Sequence, residues 1–165
     1  MRYAKINPND VANGEGVCVS LFVQGCPHRC RGCFNPETWD FEGGFEFTDR
    51  EMNFILEALT ANGVQRNFSI LGGEPLAPSN RKVVLDIIET VRRAFPDIKI
   101  YLWTGYRLTD FTYKDKDILA IMFLVDYIID GPFEEDKKDL TLELRGSSNQ
   151  IIWDLTCPNK YDIIK

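Results

Sequence analysis

The sequence predicts an α/β domain on a parallel sheet, forming part of a β/α barrel or a small open sheet. Apolar runs of strand length alternate with amphipathic segments of helical period, and right-handed crossovers turn that order into parallel strands with helices outside. The strand-like runs end at glycine-bearing loops, where parallel α/β folds bind ligands. The chain has 165 residues, fewer than the roughly 200 that a closed eight-fold barrel needs, and its 44% hydrophobic content suffices for one core. No linker, repeat or low-complexity stretch divides it, so one domain over residues 1–165 is expected, with 155–165 as a flexible tail.

The first strand is expected at 17–23, where VCVSLFV is apolar on both faces and ends at Gly25. Thr48-Asp49-Arg50-Glu51 reads as a capping box opening a helix, with Met52, Ile55, Leu56 and Leu59 as its stripe and Asn62-Gly63 as its stop. A second strand at 68–71 ends at Gly-Gly-Glu-Pro. The helix after Pro78-Ser79 carries Val83, Val84, Ile87, Ile88 and Val91. The third strand, 98–103, ends at Thr104-Gly105, and a less regular helix is expected at 115–123. A fourth strand at 125–129 ends at Asp130-Gly131-Pro132, and a last one is expected at 150–155.

Acidic residues outnumber basic ones, 25 to 19, and the formal net charge is -6, a surface that repels phosphate backbones and argues against nucleic acid. The start MRYAKINPND has no apolar signal region, and no apolar run approaches the roughly 20 residues of a membrane span. A soluble, cytoplasmic protein is expected. In that reducing compartment, five cysteines with three clustered point to metal or redox chemistry before disulfides.

Those three, Cys26, Cys30 and Cys33, lie in GCPHRCRGCFN after the first strand. Structural zinc wants four ligands, usually from separated paired-cysteine units. His28 could join only if the loop folded back, while Cys18 and Cys157 read by default as free or buried thiols. An iron-sulfur cluster usually takes four cysteines, so three would leave one iron open to an outside ligand. Taken singly, Gly72-Gly73, Gly105 and Gly131 read as turn residues, Trp103 and Phe133 as core aromatics and Thr104 as a cap. Asn35, Arg29 and His28 read as exposed loop residues.

The spacing CxxxCxxC at Cys26–Cys33, with GGEP at Gly72–Pro75 on the next strand exit, resembles the radical S-adenosylmethionine superfamily. NGEG at 13–16, GCxHxCxGCFN at 25–35, WTGY at 103–106, DGPF at 130–133 and RGSSNQ at 145–150 are similar to the glycyl-radical activases that serve anaerobic ribonucleoside-triphosphate reductases. Gly32 stands where many superfamily members have an aromatic, and Glu15 where the closer family often has proline.

The resemblance implies a partial parallel β/α barrel of the radical S-adenosylmethionine type. It implies a [4Fe-4S] cluster on Cys26, Cys30 and Cys33, with S-adenosyl-L-methionine at the open iron. Reductive cleavage would give methionine and a 5'-deoxyadenosyl radical, which takes hydrogen from a glycine of the partner reductase; no side chain is catalytic. The residues implied around the cofactor are Gly32, Cys33, Phe34, Gly72, Gly73, Glu74, Trp103, Thr104 and Gly105, with Glu74 facing its ammonium. A low-potential donor such as a flavodoxin or ferredoxin would supply the electron. The competing readings are a small radical enzyme of the deazaguanine-synthase type and a non-catalytic iron-sulfur or zinc module.

Overall fold

The computed structural model describes residues 1–156 and 162–164. Its sheet has eight strands in the order β3-β1-β2-β4-β5-β6-β7-β8. The strands are β1 (Arg2–Asp10), β2 (Cys18–Val23), β3 (Phe45–Glu46), β4 (Asn67–Gly72), β5 (Ile100–Trp103), β6 (Tyr127–Asp130), β7 (Ile151–Asp154) and β8 (Asp162–Ile164). The helices α1 (Asp49–Leu59), α2 (Arg81–Ala94) and α3 (Lys116–Leu124) precede β4, β5 and β6.

The central strands β2, β4, β5 and β6 are parallel, as the alternating pattern predicts. Outside them the sheet is antiparallel: β1 pairs with β2 and β3 on one side, β7 with β6 and β8 on the other. The sheet is thus mixed and open. Strand β1 escapes the sequence reading because RYAKINPND is mostly polar and interrupted by Pro8. Its register with β2 shifts between Asn7 and Asp10, where Pro8 lies and the ladder is already broken. The tail expected at 155–165 lies partly outside the described residues, as does Cys157.

The core shows why the two faces of the sheet differ. The parallel strands follow one another in space as in sequence, so right-handed crossovers put all three helices on one face. Val19, Leu21, Val23, Phe68, Ile70, Ile100, Leu102 and Ile128 point that way and pack with Ile55 and Leu59 of α1, Val84, Ile88 and Val91 of α2, and Ile118 and Ile121 of α3. The intervening residues turn to the other face. There Ser20, Ser69, Tyr101 and Tyr127 are in register across the parallel strands. Loops cover that face: Ser69 Oγ donates to Asn13 O, and Trp103 Nε1 donates to Leu144 O at 2.8 Å.

Local signals behave as their chemistry requires. The α1 capping box forms, the Glu51 carboxylate accepting from Thr48 N–H at 2.9 Å, while the Thr48 hydroxyl accepts from the Arg50 amide. Beyond α1, the buried guanidinium of Arg66 donates to the carbonyls of Ala58, Ala61 and Val64 and to Asn9 Oδ1. At α2, Asn80 does not cap the helix; its amide donates to Gln24 O and Glu74 O, both at 3.0 Å. Among the described residues, no helix is long and apolar enough to cross a membrane.

Candidate metal and cofactor site

On the face without helices lies a cleft of about 620 Å³. Cys26, Cys30, Cys33 and Phe34 line it from the loop after β2; Gly72, Gly73 and Glu74 from the exit of β4; and Trp103, Thr104 and Gly105 from the exit of β5. Every expected site residue except Gly32 is on this wall. Gly32 sits at φ 71°, and a Cβ there would come within 2.9 Å of the Glu135 side chain. That glutamate pairs with Arg31 at 2.6 Å, so Gly32 serves the turn and the approach of the loop at 135.

The thiol loop leaves β2 through Gly25 at φ 92° and turns again at Arg29, φ 49°. Gly25 N donates to Thr38 O at 2.8 Å, Cys26 N to Trp39 O at 3.1 Å and Cys33 N to Cys30 O at 3.2 Å. Cys26, Cys30 and Cys33 are half-buried and in no disulfide. Burial pushes the Cys26 thiol up to about 11, and burial also raises Cys30. A cationic metal centre inverts that preference, since ligation needs the thiolate and releases the proton.

The GGEP segment is held far more tightly. Gly72 sits at φ 99°, and a Cβ on it would come within 2.8 Å of Phe22 Cα; on Gly73 it would meet Gly25 O at 2.6 Å. The glycines are therefore demanded by the neighbouring chain itself. Gly73 N donates to Val23 O and Glu74 N to Gly25 O, at 2.9 and 2.8 Å. The Glu74 side chain is fully buried. Its Oε1 accepts from Leu76 N at 2.9 Å and the Thr104 hydroxyl at 2.7 Å; its Oε2 accepts from Gly105 N at 2.7 Å and contacts His28 Nε2 at 2.8 Å.

Sequence reasoning left His28 among ordinary loop residues, and nothing in the local sequence signals its distant partner, 46 positions away. It also missed the lip made by Leu140, Leu142 and Leu144 and the part played by Lys5, whose Nζ lies 4.3 Å from the Phe22 ring centre. DGPF and RGSSNQ do come together: Asn149 Nδ2 donates to Pro132 O at 2.7 Å and Gln150 Nε2 to Gly131 O at 3.1 Å. Phe133 packs on Phe34 with ring centres 5.0 Å apart, and both line the same cleft as the leucines.

The donor set tests which group the cleft can hold. Three thiols on one wall are soft ligands of the kind that hold iron-sulfur clusters. Among the described residues, no three His, Cys, Asp or Glu side chains gather about a single-ion position. Arg145 also lines the cleft, and its buried Nε has no partner among the described residues, leaving a donor for an anionic group. The residues fit a cluster with an anionic ligand beside it.

Residues 12–153 match the family described as "4Fe-4S single cluster domain". The chain is 40% identical to an anaerobic ribonucleoside-triphosphate reductase-activating protein of Pasteurella multocida, over 94% of this chain and 99% of that one. Proteins of the same name from Escherichia coli K12 and Enterobacteria phage T4 are 36% and 38% identical, covering 92% and 94% of this chain and 97% and 96% of theirs. With the thiol loop, GGEP and WTG on one cleft and likeness along nearly the whole length, the chain belongs to the 4Fe-4S single-cluster family and, within it, to the anaerobic ribonucleoside-triphosphate reductase-activating proteins.

Proposed function

We propose that this chain activates an anaerobic ribonucleoside-triphosphate reductase by generating a glycyl radical on it, as a radical S-adenosylmethionine enzyme of the cytoplasm. The observation that carries the reading is the meeting, on the helix-free face, of three free thiols with the GGEP and WTG strand exits. The four parallel strands and their crossover helices are read as part of a β/α barrel of the radical S-adenosylmethionine type.

Cys26, Cys30 and Cys33 would hold the cluster. Once bound there, it would supply one electron for the reductive cleavage of S-adenosylmethionine to methionine and a 5'-deoxyadenosyl group able to take a glycine hydrogen from the reductase. Cys33, Phe34, Gly72, Gly73, Glu74, Trp103, Thr104 and Gly105 line the wall that would bind and orient the cofactor. Glu74 stands in that wall as a carboxylate whose oxygens already meet protein donors. Phe22, Leu71, Phe34, Phe133 and the leucines at 140, 142 and 144 give the cleft an apolar lining, and Arg145 offers its unpaired Nε. A low-potential flavodoxin or ferredoxin would be the electron donor.

The test is anaerobic reconstitution with iron and sulfide, reduction, and addition of S-adenosylmethionine. Methionine and 5'-deoxyadenosine are expected, and adding the cognate reductase should give a glycyl radical signal in electron paramagnetic resonance. Bound zinc without iron-sulfur absorbance would sink the reading, and cleavage without a glycyl signal would redirect it to another substrate.

A further inference from the structure

The buried Glu74 carboxylate joins three separate stretches of chain. Leu76 lies beside it in sequence, Thr104 and Gly105 come from the exit of β5, and His28 comes from within the thiol loop. A carboxylate only accepts, so His28 Nε2–H is the donor in the 2.8 Å contact. A buried carboxylate oxygen that loses a donor has no water to replace it, which makes each of these bonds costly to break.

The His28 ring is fitted as well as bonded. Its side chain is 18% exposed, and it stands edge-on to the Tyr106 ring with centres 4.5 Å apart. A Cβ on Gly105 would come within 2.5 Å of His28 Cδ2, so glycine at 105 is what admits the ring. The Thr104 hydroxyl, donating to Glu74, also accepts from Tyr106 N at 3.1 Å and fixes the residue on which the ring rests. Asn80 anchors the other side through Glu74 O and Gln24 O. His28 lies two residues after Cys26 and two before Cys30, so fixing its ring fixes the backbone that presents both thiols.

We propose that Glu74 is a positioning residue: through His28 it holds the thiol loop in its ligand-presenting form before any cluster is bound. The wall that faces the cofactor and the loop that carries the metal ligands are thereby one unit, and the ordering of the loop precedes metal binding. The proposal rests on the proposed function only for the identity of what the thiols hold.

The test uses the full chain, metal-free and reduced. Amide hydrogen exchange over residues 26–35 and iodoacetamide alkylation of Cys26 and Cys30 are followed in the native chain, His28→Ala, His28→Gln, Glu74→Gln and the His28→Ala/Glu74→Gln double variant. Both rates should rise about tenfold in His28→Ala and in Glu74→Gln, the range expected for a hydrogen bond to a charged group. The double variant should be no faster than the faster single, because both remove one contact. His28→Gln, whose amide can stand where Nε2–H stood, should recover most of the protection and the native rate of iron uptake. Amides of β4 and α2 should stay protected in His28→Ala. Native rates in His28→Ala, additive effects in the double variant, no recovery in His28→Gln, or loss of protection across β4 and α2 in His28→Ala would each overturn the positioning role of Glu74. Failure of the loaded native chain to cleave S-adenosylmethionine would defeat the proposed function while leaving these metal-free rates unaffected.

Discussion

Two adjacent loops line the cleft and are held in different ways. GGEP is locked by its surroundings: Gly72 and Gly73 lie against the backbone of Phe22 and Gly25, and both carboxylate oxygens of Glu74 are satisfied. The thiol loop is half-buried, turns through three residues at positive φ and has few internal hydrogen bonds. One loop is packed against neighbouring backbone; the other has few bonds of its own and is tied to the first through His28 and Glu74. The difference teaches where each kind of substitution should register, in the fold on one side and in metal binding on the other.

The largest expected effect is on the thiol side. Cys30→Ala removes a ligand from a half-buried loop, so cluster loading and 5'-deoxyadenosine formation should be lost while the metal-free chain keeps its unfolding free energy to within about 1 kcal/mol. A variant that loads and cleaves normally would refute the ligand assignment; one that unfolds would erase the contrast between the loops. Gly72→Ala tests the opposite side. A side chain at φ 99°, 2.8 Å from Phe22 Cα, should cost on the order of 3 kcal/mol in denaturant unfolding of the metal-free chain. Native stability would show that GGEP is not locked by its neighbours.

A smaller effect is expected from Thr104→Val, which keeps the shape but removes the hydroxyl that bonds Glu74 at 2.7 Å. Leaving that oxygen with one donor fewer should cost about 2 kcal/mol, read by thermal unfolding. The smallest concerns Asp130 at the exit of β6, a buried carboxylate that accepts from Leu108 N at 2.7 Å. Burial raises its titration above the ordinary 3.8, against the hydrogen bond that opposes it. A carboxyl whose folded value is raised lends stability below the unfolded value and loses it as pH rises through the folded one. Asp130→Asn does not titrate, so its midpoint relative to the native chain should rise from acid to neutral pH, by about 2 °C. A midpoint that falls relative to the native chain over that range would show that ionised Asp130 is well solvated.

The comparison between the loops also shows what was legible in the sequence. The four parallel strands and three helices could be read because each is a run of one period with a chemical stop: Gly25, GGEP, Thr104-Gly105, Asp130-Gly131. Strand β1 could not, since its residues are half-exposed and polar and it becomes a strand only by pairing with β2. Arg66 and Asn80 were likewise illegible, because their partners are carbonyls brought near by folding and carry no sequence signature.

By itself the sequence determined the order of the parallel strands and their helices and the chemistry available at each strand exit: three soft thiols, a glycine pair with a carboxylate, and an aromatic beside a threonine and a glycine. Those follow from side-chain period and donor type, which are local properties. Only the tertiary structure decided which face of the sheet stays free of helices and that Glu74 joins His28 to Thr104 and Gly105. Contacts across 46 and 31 positions arise from the packing of parallel strands, and a buried carboxylate takes whichever donors that packing brings within reach.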